Sequence, residues 1–165
     1  MNNQVSPAQA RLKLTLWDLD ANKTTDGDAY ASFRGMNIPP EISSRLLDLM
    51  RITRKVGSKV FAVGKIILLK ILDFIKKHPL LVTGLGIGAV LGMAVAGLIL
   101  SVPFLGTILA PLAKVLGLTI TIAGGVMGHR LDQAIPGVSQ DIGEIINEFF
   151  SFFYAVFNAI SPQFA

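Results

Sequence analysis

Asp18, Asp20, Asn22, Asp26 and Asp28 are the one place where carboxylates gather, and their alternation superficially suits calcium, whose loops take oxygen ligands at every second position. The pattern fails where a calcium loop is most demanding. Lys23 stands at the sixth place, where glycine makes the sharp turn, and Ala29 at the twelfth, where a bidentate glutamate closes the site. A turn rich in helix-capping residues is the better reading. The two histidines, His78 and His129, flank apolar segments that a hairpin would bring side by side. With no cysteine and with Asp132 as the nearest acid, a metal set would be incomplete. No serine sits in a nucleophile elbow and no phosphate loop is present. Gly84, Gly86 and Gly88 lack the preceding strand of a dinucleotide fingerprint. The residues point away from an enzyme, with no metal or cofactor expected.

Glycine spacing is more informative. Gly84, Gly88 and Gly92, followed by Ala96, recur every four residues, which lines small side chains along one face of a helix. In lipid, helices gain little from apolar burial against one another, so close backbone approach through such faces drives association. The repeat suits a homo-oligomeric glycine zipper. It equally suits packing within a hairpin, against Gly117, Gly124 and Gly128.

The elements that must carry these glycines are apolar. The 165-residue chain is 52% hydrophobic and 16% charged, with mean hydropathy +0.58, too apolar for an ordinary soluble protein of its size. Residues 79–113 form a run of 35 without an ionisable side chain, where roughly 20 suffice to cross a bilayer once. The expectation is an all-α integral membrane protein built on a two-span hairpin at 78–130. Its first span is expected at 80–102, its turn between Ser101 and Pro111, and its second span at 112–128. Lys114 then lies near the turn, its stem buried and its ammonium snorkelling to the interface. The second span is short and glycine-rich, so full insertion is the weaker expectation. Met1 to Ala10 lacks the basic and apolar regions of a secretory signal.

Around the hairpin, charge is segregated. Arg45 to Lys77 holds nine Lys or Arg against Asp48 and Asp73, whereas beyond Arg130 the charges are Asp132, Asp141, Glu144 and Glu148. Residues 1–40 read as a small N-terminal element. Ser6, Pro7 and Gln9 start a helix there, Leu12, Leu16 and Leu19 recur at helical spacing, Asp28 is expected to cap a second helix and Gly35 to end it. Between 41 and 77 no proline intervenes. Ile42, Leu46, Leu49, Val56, Val60, Val63, Ile67, Ile71 and Phe74 fall on one stripe, which predicts one long amphipathic helix. Arg51, Arg54, Lys55, Lys59, Lys65, Lys70, Lys76 and Lys77 would form its cationic face, suited to anionic headgroups. Residues 131–165 are expected to hold an aromatic amphipathic helix, with Ser139 as cap and Ile142, Ile146, Phe149, Phe153, Val156 and Ile160 as its stripe.

Lys76, Lys77, His129 and Arg130 put both hairpin ends on the cytoplasmic side by the positive-inside rule, as in a bacterial inner membrane. An uncharged helical hairpin between charged amphipathic helices resembles in outline those of pore-forming colicins and secreted translocators. The leading expectation is a homo-oligomer that forms or gates a pore, or otherwise permeabilises an anionic bilayer, with Lys114 near the far mouth. The alternatives are a non-catalytic subunit of a larger secretion or conjugation complex, contacting partner membrane proteins, and a protein that hides its hairpin in a helical shell and inserts it on activation. A basic helix joined to a membrane span favours lipid or protein over nucleic acid.

Overall fold

Ser6 opens the first helix, α1 (Pro7–Ala21): its Oγ accepts from the Gln9 N–H at 3.1 Å while Gln9 Oε1 accepts from the Ser6 N–H at 3.0 Å. The computed structural model describes residues 4–118 and 140–164, and these are mostly helical. In α2 (Asp26–Gly35) the cap is Thr25, one turn before Asp28, whose carboxylate returns the bond to the Thr25 N–H at 3.2 Å. The expected left-handed stop at Gly35 falls instead on Asn37 (φ 58°), one of the few side chains that tolerate that region. Pro40 then starts α3 (Pro40–Leu49).

The single helix expected over 41–77 is not formed. α3 ends at Leu49, strands β1 (Arg54–Val56) and β2 (Lys59–Phe61) make an antiparallel hairpin, and α4 (Val63–Lys77) follows. The cause is local: Gly57, at φ 63°, leads the two-residue Gly57-Ser58 turn, and β-branched Val56 and Val60 flank it. The chain then doubles back so tightly that the Gly64 N–H donates to the Ile52 carbonyl at 2.9 Å. A Cβ on Gly64 would collide with the Leu49 carbonyl oxygen, so glycine is required at this crossing.

The first apolar segment is also broken. α5 (Pro79–Leu85) and α6 (Ile87–Ser101) meet at 116°, with Gly86 at φ 91° between them. After a short turn at 102–104, α7 (Leu105–Val115) occupies much of what was expected to be the hairpin's loop, and Gly117, at φ 74°, ends it. The remainder of the expected second span, through Gly128, lies outside the described residues. α8 (Gln140–Ile160) follows, burying Ile146, Phe150, Phe153, Val156, Phe157 and Ile160, while Ser139, expected as its cap, lies outside the described residues.

At the centre stands α6. Every residue from Val90 to Leu100 is buried, as a helix apolar on all sides must be. α4, α7 and α8 pack against it and α5 covers one end; α3 backs α7, and α1 spans α4 and α8.

Candidate functional site

The features singled out in the sequence converge on α6 and the helices that enclose it, with one redistribution. Gly84 is on α5 and Gly88, Gly92 and Ala96 are on α6, so the bend at Gly86 divides the four-residue repeat. Among the described residues, space for a Cβ is open at Gly84 and Gly88, and at Gly92 it meets Leu118 Cδ2 at 3.4 Å. Close approach occurs one residue past the repeat. A Cβ on Gly97 would stand 2.9 Å from Tyr154 Oη and 3.0 Å from Ile146 Cγ2, so α6 and α8 touch across Gly97. Asn158 Nδ2 donates to the Ser101 carbonyl at 2.9 Å, tying α8 to the end of α6. Burial pushes the Tyr154 phenol's pKa upward, with Ser101 acting weakly against it. Gly117 acts through its backbone, as the stop of α7. Gly124, Gly128, His129 and Arg130 lie outside the described residues.

An aromatic clamp holds this shell. Trp17 of α1 stacks on Phe153 at 5.3 Å and Phe157 at 6.4 Å, and Phe74 of α4 meets Phe149 and Phe150 at 5.1 and 5.4 Å. His78, at the junction of α4 and α5, packs on Phe74 at 4.5 Å, with Nδ1 2.9 Å from the Phe74 carbonyl oxygen.

The basic residues do not form one face, because the helix meant to carry them is three elements. Arg51 follows α3 and pairs with Asp48 at 3.8 Å. Arg54 and Lys55 are on β1 and Lys59 on β2. Lys65 donates to the Thr24 carbonyl at 3.1 Å, and Lys77 pairs with Asp73 at 3.2 Å. Lys70 lies 5.0 Å from the Trp17 ring centroid, where desolvation lowers its pKa against the pull of Asp73. With Asp20, Asp73 and Lys76 it lines a shallow groove between α1 and α4. Lys114 is exposed on α7.

Asp18, read as part of a capping turn, has a larger part: although almost fully buried, it accepts from the Ala62 N–H at 2.7 Å and from Asn22 Nδ2 at 3.2 Å, joining α1 to the start of α4. Among the described residues no three His, Asp or Glu side chains come together as a metal set. Nor is any single described helix long and apolar enough to cross a membrane; the bent pair α5–α6 is, by length and composition. The chain matches no family model, no curated protein and no solved structure.

Proposed function

We propose that this is a membrane-active protein that carries its apolar hairpin, α6–α7, inside a shell of amphipathic helices and releases it into an anionic bilayer, of the bacterial inner-membrane kind, where copies assemble and permeabilise it. The observation that carries this reading is α6 itself, apolar and buried on every side from Val90 to Leu100. Lipid tails are as apolar as this shell, so the same surface is satisfied in either surrounding. Gly86 supports the reading as well. Straightened there, residues 79–101 would extend about 34 Å as one helix, enough for the hydrocarbon core. Lys114, already exposed, needs no desolvation if it stays at the interface.

A reversible tether tests this. Asn158 reaches the Ser101 carbonyl, so Ser101→Cys with Asn158→Cys, in a chain otherwise free of cysteine, puts one thiol on each side of the α6–α8 contact, and their bridging on oxidation is checked by mobility on a non-reducing gel. The reduced protein should release dye from anionic vesicles and the oxidised protein should not. Equal release by both forms, or none by the untethered chain, would overturn the proposal.

A further inference from the structure

The leucines of α1 face the wrong way for a core. Leu14 is fully buried with Ala10 and Ala21, whereas Leu12, Leu16 and Leu19 are 63, 47 and 56% exposed. At 3.6 residues per turn these three share one side of α1, opposite the buried one. The stripe does not end at the helix. Phe152 of α8, 45% exposed, lines a groove of about 300 Å³ together with Leu12, Lys13 and Leu16.

Cations border the stripe on both sides. On one, Lys13 Nζ is 5.7 Å from the Phe152 ring centroid. On the other is the β-hairpin, which α1 holds through β2 and through the Asp18 bond to Ala62. There Arg11 Nη2 would lie 3.2 Å from a Cβ on Gly57, at the hairpin's tip, two residues from Lys55; Lys59, paired with Val56, belongs to the ribbon's other face, with its Nζ 4.9 Å from the Phe61 ring centroid. Val60, directly opposite Lys55, is 49% exposed. Arg11, Lys13 and Lys55 make no ion pair among the described residues; of the exposed acids nearby, Asp20 is 3.9 Å from Lys23, and Glu148 stands one turn before Phe152 on α8.

We infer that this face docks the protein on an anionic bilayer, Leu12, Leu16, Leu19 and Phe152 entering the boundary between headgroups and acyl chains while Arg11, Lys13 and Lys55 meet the phosphates. The inference rests on the membrane-active reading for its partner and adds the surface of first contact. Charge selects this partner. A second copy would bring the same unpaired cations against these, whereas a lipid surface supplies the missing anions and accepts an apolar stripe bordered by long basic side chains.

The experiment is sedimentation of the 165-residue chain with vesicles of phosphatidylcholine, with and without phosphatidylglycerol, alongside dye release from the same samples. The wild type should sediment with the anionic vesicles. Leu16→Ser with Leu19→Ser should weaken that binding about tenfold or more, and Arg11→Glu with Lys55→Glu should remove the preference for anionic lipid. Tyr30→Ser, at an exposed residue of α2, should leave both unchanged. All substituted side chains are exposed, so circular dichroism should match the wild type. Undiminished binding by both double variants sinks the docking face, even where dye release persists. So does a dimer, seen by light scattering, that the leucine variant splits while vesicle binding is kept. Binding that follows the prediction without dye release leaves this surface standing and removes the permeabilising function instead.

Discussion

Gly97 and Gly88 occupy the same helix and differ in what surrounds them, so alanine at each position isolates packing from helix propensity. Among the described residues a Cβ at Gly88 meets nothing within 4 Å. Gly88→Ala therefore removes only the backbone-entropy penalty of glycine, a gain of about 0.5–1 kcal/mol. At Gly97 the same gain is set against a methyl 2.9 Å from Tyr154 Oη and 3.0 Å from Ile146 Cγ2. Tyr154 cannot easily retreat, because its ring stacks on Phe150 at 5.9 Å. Overpacking of this kind costs about 1–3 kcal/mol. The two variants should thus differ by that amount, which for a chain of this size is a separation of about 3–10 °C in Tm. Thermal unfolding followed at 222 nm reads it directly, with Gly88→Ala above the wild type. A Gly97→Ala protein melting at or above Gly88→Ala would mean that α6 and α8 are not in contact across Gly97, and the enclosing shell would have to be redrawn.

Three further outcomes follow from single contacts. Gly64→Ala drives a methyl into the Leu49 backbone, which no side-chain rotation relieves, and should destabilise by about 3 kcal/mol or prevent folding, visible as loss of the soluble or detergent-stable fraction. Asp18→Ala strips the Ala62 N–H of its acceptor and should cost about 1–3 kcal/mol in denaturant unfolding; Asp18→Asn, which keeps an acceptor oxygen, should cost less. The Thr25 backbone N–H, and secondarily its hydroxyl, hold the Asp28 carboxyl below its ordinary value of 3.8, so this cap is complete above that pH and is lost as pH falls through the folded-state pKa. A side-chain carbon titration by NMR should place the Asp28 midpoint in the folded protein below that in the unfolded chain; identical midpoints would refute the Thr25 N–H bond to its carboxylate.

Which features are legible in the sequence depends on how far the deciding contacts reach. The start at Ser6, Pro7 and Gln9 is decided within one turn, and the aromatic stripe of α8 by a periodicity that survives over its length. The break inside 41–77 is concealed by coincidence. Leu49, Val56 and Val63 are spaced by seven, so a hairpin between two helices keeps an apparent helical stripe. Gly57-Ser58 between valines is the signal against it. In α1 periodicity correctly gives a helix but not which side faces inward. The inward side is Ala10, Leu14, Asp18 and Ala21, because the Trp17 and α8 rings fill the space a leucine stripe would otherwise fill. The glycine repeat is divided for a related reason: a face exists only along an unbroken helix, and Gly86 ends one helix before Ile87 begins another.

The composition of α6 is the same whether its surroundings are protein or lipid, so the energetic difference between the two states lies in the shell. Moving α6 into acyl chains replaces one apolar surround by another, at little cost to α6. It strips α8, however, of the cover that α6 gives Ile146, and α4 of its own contact with α6, and each large apolar side chain so uncovered loses about 1.5–3 kcal/mol of burial. In water that loss holds the shell shut. Under the proposed function, the same apolar stripes find the headgroup boundary at a membrane surface, where amphipathic helices rest, and that burial offsets the loss. On the proposed reading, membrane contact therefore does the work of a separate activating signal, and a protein that first docks through α1 and the cationic hairpin brings its shell to the one place where it can open.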